Sequence, residues 1–206
     1  MSQVLSLPST NQSSCSVPEF PVGGVFRAAM AGVVGGRVMV CGGREKHYSQ
    51  ACYTLVEGAW EPAPGLLQPR AYGASVVLPN GSLWISGGSL SYNTYYSSSE
   101  IFSPGGASWG PGPDLPNKIA FHCMVQYNNS HTFIAGGYND AGSSSDAFFY
   151  HDGIFQPLPG MLSSRSHHMC STYQGEIVVV GGWHGDHDYL LTVEIFNTVK
   201  NTWREG

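Results

Sequence analysis

The chain has 206 residues, of which 42% are hydrophobic, 12% aromatic and only 11% charged, with a formal net charge of −5. This length suits one sizeable core or a modest repeat array; no cluster of Lys or Arg offers a nucleic-acid surface, and no run approaches the roughly 20 apolar residues of a membrane-spanning helix. With 27 Gly and 13 Pro, amphipathic helices have little room, and an all-β chain with many tight turns is expected.

Residues 1–19 (MSQVLSLPSTNQSSCSVPE) are polar, without the basic start and apolar run of a signal peptide. Residues 1–24 are expected to form a flexible lead-in. A first unit, about 25–69, opens at Arg27, reaches an apolar run ending in two glycines at 37–43 (RVMVCGG), and continues through the strand 54–56, Trp60 and a Pro-rich turn at 62–69. The second, about 70–116, repeats this order with Arg70, 82–88 (SLWISGG), 100–102 (EIF), Trp109 and 111–116. The third, about 117–164, has Lys118, 131–137 (HTFIAGG), 147–149 (AFF), Phe155 and 157–159. The fourth, about 165–206, has Arg165, 176–182 (EIVVVGG), 194–196 (EIF) and Trp203. The first glycines of the four pairs, Gly42, Gly87, Gly136 and Gly181, stand 45, 49 and 45 residues apart. Each unit reads as strand, tight turn, strand, Gly-Gly, loop, strand, short turn, strand, because Gly- and Asn-rich turns between apolar runs signal hairpins. The opening cation is expected to pair with backbone or acidic groups at the unit's edge.

This pattern resembles the kelch repeat, over roughly residues 25–206. The matching elements are the apolar run before Gly-Gly, the acidic-aromatic strand after it, and a Trp near the repeat end. The first unit lacks the acidic residue, and the third has Phe155 for Trp and Asp146-Ala147 for Glu. The resemblance implies an all-β, kelch-type β-propeller with four four-stranded blades visible. Rings of this family commonly have more than four blades. The expectation is therefore a part of a larger propeller, with pairing to another copy or a tight four-blade ring as alternatives. Residues 17–21 (VPEFP) look like the Pro-rich turn between blades. An open arc would leave exposed strand edges through which the chain could self-associate.

Five cysteines leave an odd one. Cys41 and Cys52 flank the first loop and would face each other in a hairpin, as a disulfide or as two buried thiols. Cys123 and Cys170 read as small core residues, and Cys15 falls in the lead-in. Asn-X-Ser triplets occur at Asn11, Asn80 and Asn128, the last two in equivalent turns of successive units, where they suit glycans or are simply turn residues. These features lean toward an extracellular setting, with a cytoplasmic one as the alternative.

No nucleophile motif, phosphate loop or CxxC pair stands out, and no cofactor is expected. The stretch 183–188 (WHGDHD) holds metal-type ligands, but in one loop without fixed geometry, so a polar surface loop is favoured over a metal site. His167 and His168 open a first strand and point to opposite faces by alternation; His122 takes the place equivalent to His168. The loops 44–50, 89–99, 138–145 and 183–190 should project from one face. They carry the candidate binding residues Arg44, His47, Tyr48, Tyr92, Tyr95, Tyr96, Tyr138, Asp140, Trp183, His184, Asp186 and His187. Tyr, Trp and Arg are enriched in binding hot spots, and loops on rigid scaffolds commonly carry function. The alternative is solvated linkers with aromatics tucked against the rim. The resulting expectation is a non-catalytic scaffold for a protein partner. Its rivals are a carbohydrate-binding propeller and a kelch enzyme of the galactose-oxidase or mutarotase type, whose ligand sets find no full counterpart here. A ubiquitin-ligase adaptor role of the kelch type would also need a BTB-like helical region, which these residues do not contain.

Overall fold

The computed structural model describes residues 18, 20–21, 27–185 and 188–206, and no helix occurs among them. Of the expected lead-in only Pro18, Phe20 and Pro21 are described; Asn11 and Cys15 lie outside.

Four antiparallel four-stranded sheets follow one another. Blade 1 comprises β1 (Met30–Val34), β2 (Arg37–Cys41), β3 (Cys52–Val56) and β4 (Ala59–Ala63). Blade 2 has β5 (Ala74–Val77) and β6 (Leu83–Ser86), a small hairpin β7 (Ser89–Ser91) and β8 (Thr94–Tyr95), then β9 (Ser99–Phe102) and β10 (Gly110–Pro111). Blade 3 has β11 (Cys123–Gln126) and β12 (Thr132–Ala135), the hairpin β13 (Tyr138–Asn139) and β14 (Gly142–Ser143), then β15 (Ala147–His151) and β16 (Ile154–Leu158). Blade 4 has β17 (Met169–Tyr173) and β18 (Glu176–Val180), the hairpin β19 (Trp183–Gly185) and β20 (Asp188–Tyr189), then β21 (Val193–Asn197) and β22 (Thr202–Glu205). The first strands pack in series, β1 on β5, β5 on β11 and β11 on β17, and no such packing returns from β17 to β1 among the described residues. The blades form an open arc.

The core lies between blades. Leu83, Ile85, Phe102 and Trp109 of blade 2 meet Met30, Val34, Met39 and Cys41 of blade 1. Trp84 of blade 2 meets Met124 and Ile134 of blade 3, and Phe133 and Ala135 of blade 3 meet Ile177, Val179 and Phe196 of blade 4. Alternation along each strand sends one set of side chains forward and the other back, so every blade has two apolar faces. In blades 1, 2 and 4 the Trp near the repeat end ties the outer edge of the joint. Trp109 Nε1 donates to the Pro64 carbonyl at 2.9 Å, and Trp203 Nε1 to that of Pro159 at 2.8 Å. Trp60 Nε1 donates in the same way to the Pro18 carbonyl at 3.3 Å, so Pro18 occupies on blade 1 the place of an inter-blade turn residue.

The glycine pairs make the inner joint. Both members take left-handed φ in every blade, for example 58° and 90° at Gly87 and Gly88. The second glycine's N–H bonds to the incoming chain of the next blade: Gly43 to the Arg70 carbonyl, Gly88 to Ile119 and Gly137 to Arg165, at 2.8–2.9 Å. A Cβ on Gly87 or Gly136 would strike that incoming carbonyl and the ring of His122 or His168.

This register corrects the grouping of opening cations. Ile119, not Lys118, stands where Arg70 and Arg165 stand; Lys118 is exposed one residue earlier, and Arg27 pairs its backbone with Arg44, as Ala71 does with Ser89. Position is counted from the glycine pair, and residue type alone misplaced both cations. Arg70 Nη2 contacts Glu100 Oε1 at 2.8 Å, and Arg165 contacts Glu194, all four side chains being almost wholly buried. Each carboxylate also accepts two backbone N–H groups from the preceding turn, Leu67 and Gln68 for Glu100, Leu162 and Ser163 for Glu194. In blade 3 the glutamate's register position, opposite the residue two before the glycine pair, belongs to Phe148, and in blade 1 to Tyr53. The position equivalent to Glu100 in the third unit is thus Phe148, one residue beyond Ala147. Where Phe148 replaces the acid, Ile119 replaces the arginine and Pro116, which has no N–H, stands in the place of Leu67 and Leu162. Three changes together convert an ionic joint into an apolar one, leaving no buried charge without its partner.

Cys41 is bonded to Cys52 across β2 and β3. Cys123 is bonded to Cys170, which corrects their reading as simple core residues. The first points forward from β11 and the second back from β17, so the bond crosses the joint between blades 3 and 4. Asn80 and Asn128 lie in exposed turns, where their Oδ1 atoms accept backbone N–H bonds from Ser82 and from Ser130 and His131.

Candidate binding bowl

Just before each first strand the chain passes close to the axis of the arc. There Ala28, Tyr72, Phe121 and His167 all take left-handed backbone, with φ of 57°, 61°, 59° and 56°. Such conformations are uncommon for bulky residues and cost on the order of 1 kcal/mol each. A ladder of backbone bonds holds them: Tyr72 N–H to the Ala28 carbonyl at 3.0 Å, Phe121 to Tyr72 at 2.7 Å, and His167 to Phe121 at 2.9 Å. The kink throws the side chains inward. The Tyr72 and Phe121 rings are 4.5 Å apart, and Phe121 stacks on His167 at 3.8 Å.

A second tier of rings comes from the loops after the glycine pairs. Each loop returns as a short hairpin, or in blade 1 as the Arg44–Tyr48 bridge, which fixes its side chains against the sheet below. Tyr95 meets Tyr138 with centroids 6.2 Å apart, Tyr138 meets Trp183 at 5.6 Å, and the Arg44 guanidinium lies 5.4 Å from the Tyr48 centroid. The two tiers enclose a cavity of about 260 Å³ lined by Arg44, Tyr48, Tyr72, Tyr92, Tyr95, Phe121, Tyr138, His167 and Trp183, with Ser89 and Ser91. A neighbouring hollow of about 650 Å³ beside blade 4 is lined by His167, Trp183, Tyr189, Leu190 and Leu191.

Electrostatically the bowl is quiet. Burial pushes the Tyr95 phenol up, and Tyr138 and Asp140 add to the shift, so its hydroxyl stays protonated as a donor. Burial lowers His167, which therefore presents a neutral imidazole at pH 7. Its neighbour His168 turns the other way, into the joint, as alternation requires. Among the described residues no three His, Cys, Asp or Glu side chains converge as a metal site would require.

The Kelch motif family matches residues 164–206, the whole of blade 4. The other three blades repeat its Gly-Gly register and strand order. Blade 4 carries a kelch motif, and the chain is similar to kelch-like proteins. Kelch-like protein 15 of Danio rerio is 26% identical over 204 residues, covering 84% of this chain and 33% of that protein. Spermatocyte protein spe-26 of Caenorhabditis elegans is 27% identical over 126 residues, covering 60% of this chain and 22% of that protein. Kelch-like protein 33 of Homo sapiens is 27% identical over 142 residues, covering 66% and 26%. The chain thus spans a third or less of the length of these relatives.

Of the residues singled out in the loops, Arg44, Tyr48, Tyr92, Tyr95, Tyr138 and Trp183 converge on the cavity. Tyr92 is 86% exposed at the tip of its hairpin. His47 and Asp140 are exposed on the rim. Tyr96 is not brought to the bowl: its ring packs 5.0 Å from the Arg70 guanidinium, and its carbonyl receives the Ile119 N–H. His184 also turns aside, its Nδ1 meeting the Ser164 carbonyl at 2.9 Å. Asp186 and His187 lie outside the described residues. The inner tier of Tyr72, Phe121 and His167 escaped sequence reasoning. Its signal was there, an aromatic ring two residues after each of Arg70, Ile119 and Arg165.

Proposed function

We propose that this chain is a non-catalytic kelch scaffold that captures a protein partner in the aromatic bowl. The observation that carries this reading is the double tier of rings, the outer tier supplied by all four blades and the inner by blades 2, 3 and 4, mounted on short hairpins and hydrogen-bonded backbone. Rigid aromatics offer large contact area at little entropic cost, and such residues dominate binding energy when desolvated. Tyrosine hydroxyls and Arg44 supply the polar contacts that orient a ligand in a mostly apolar hollow. A second reading, a glycan bound by the same bowl, draws support from stacked ring faces interleaved with hydroxyls.

The test is quantitative capture from a tissue extract, comparing the wild type with Tyr95→Ala, Tyr138→Ala and Trp183→Ala, and with Ile154→Ala on the far surface as control. A central hot-spot truncation costs about 2 kcal/mol or more, so each bowl variant should weaken capture by roughly 30-fold. Unchanged capture by all three would refute the bowl. Retention on a glycan array, lost in the same variants, would favour the sugar reading.

A further inference from the structure

The Asn-X-Ser triplets at 80–82 and 128–130 fill the turn between the first two strands of blades 2 and 3. That turn closes the strand ends away from the glycine pairs, so both triplets lie on the face opposite the bowl. Asn128 stands seven residues beyond Phe121, roughly 20 Å from the inner tier at about 3.3 Å per residue. A bulky group attached there would leave the bowl open.

Both asparagines use Oδ1 inside the turn. Asn128 Oδ1 accepts the N–H groups of Ser130 and His131 at 2.9 and 2.8 Å and the Ser130 hydroxyl at 3.0 Å, while the Asn128 carbonyl accepts the Gln126 amide at 2.6 Å. Asn80 Oδ1 accepts the Ser82 N–H at 3.0 Å. Among the described residues neither Nδ2 has a hydrogen-bond partner, so the nitrogen that would carry a sugar is free in both turns. The two triplets differ in the hydroxyl that completes them. Residues 128–130 are all exposed, whereas Ser82 is buried, its hydroxyl 3.4 Å from that of Ser103. Beside Asn128 an open hollow of about 470 Å³ runs over the joint between blades 3 and 4, lined in part by Tyr127, His131, Phe149, Thr198 and Val199. A sugar on Nδ2 would meet this open space and its rings rather than packed chain.

The disulfides supply a second, independent observation. Cys41–Cys52 and Cys123–Cys170 are bonds of an oxidising compartment, the setting in which N-linked glycans are added. We propose that Asn128 is an N-glycosylation site, filled as the chain passes through such a compartment. Nδ2 gives up one hydrogen as a proton and bonds C1 of an oligosaccharide carried on a polyprenyl diphosphate; the C1–O bond breaks and the diphosphate leaves with its electron pair. The transferase must reach the hydroxyl two residues on, since the triplet requires one. Ser130 offers it before and after folding and Ser82 only before, so Asn128 is filled more fully than Asn80. The proposal is independent of the bowl's ligand.

The test is a peptide map of the native protein, alkylated before any reduction and digested with and without a glycosidase that hydrolyses the Asn–sugar bond in heavy-oxygen water. The Asn128 peptide should be missing in unmodified form before treatment and appear afterwards with a heavy-oxygen Asp, and the Cys123 peptide should be joined to that of Cys170. In the full chain secreted from cultured cells, Ser130→Ala should lower the intact mass by one glycan, and Ser130→Thr, which keeps the triplet, should not. Unmodified Asn128 in the native map, Cys123 and Cys170 both alkylated before reduction, an unchanged glycan mass in Ser130→Ala, or fuller occupancy at Asn80 than at Asn128 would each overturn the proposal.

Discussion

Replacing Glu100 by Gln should be among the most damaging single changes in this chain. Glu100 and Arg70 are 2% and 0% exposed and 2.8 Å apart, and the arginine donates as well to the carbonyls of Gly87 and Ser98. Removing the carboxylate charge strands a guanidinium in the joint between blades 1 and 2 and weakens the acceptor of two backbone N–H groups. Breaking a buried pair in this way costs about 3–5 kcal/mol. At about 2–4 °C per kcal/mol for a chain of this size, the melting temperature should fall by roughly 6–20 °C. The molecule also carries the remedy. Blade 3 joins its neighbour with Ile119, Phe148 and Pro116 in these places. The triple variant Arg70→Ile, Glu100→Phe, Leu67→Pro should therefore lie within about 2 kcal/mol of the wild type or above it, as replacements of buried ion pairs by packed apolar groups often do. Thermal and urea unfolding followed by circular dichroism would measure both. A triple variant as unstable as Glu100→Gln would refute the view that the two joint types are interchangeable solutions.

Acid should loosen the joints around blade 3. Burial, reinforced by the neighbouring His168, lowers His122 to about 3, and burial with the Arg165 charge lowers His168 to about 4. Both folded values lie below the unfolded value near 6.5, so the unfolded chain takes up the protons. Stability should be complete above pH 6.5 and fall by about 1.4 kcal/mol per unit for each ring as pH drops toward 4. A melting temperature flat between pH 7 and 4.5 would contradict this. Reduction should raise the intact mass by four hydrogens, and the loss of Cys123–Cys170, which closes 47 residues, should cost more than that of Cys41–Cys52, which closes 11: about 4 against about 3 kcal/mol by loop entropy. Comparing the two Cys→Ser pairs by urea titration would check the order. Trp109→Phe should cost about 1 kcal/mol through its lost bond to Pro64, since Phe155 already serves blade 3 without one.

The fold was legible because a glycine pair marks where one blade receives the next, and that event recurs at a near-constant spacing. Relations between blades were much less so. Cys123 and Cys170 sit on strands that never pair, and only the stacking of first strands brings them together. Lys118 looked like a counterpart of Arg70 because it is a cation in the right neighbourhood. The missing acid at Phe148 was the clue that the site had changed type. The outer tier of the bowl could be read from its Tyr-rich loops. The inner tier could not, because Tyr72, Phe121 and His167 look like lead-in residues of apolar strands until their left-handed backbone turns them toward the axis.

The most direct test of the bowl is site-specific photo-crosslinking. A photoreactive residue placed at Tyr95 or Tyr138 should trap one discrete protein, and the same residue at the exposed outer position Ile154 or Val199 should not. Equal yields from the outer positions, or none from the bowl, would contradict the assignment of the aromatic tiers as the partner-binding surface.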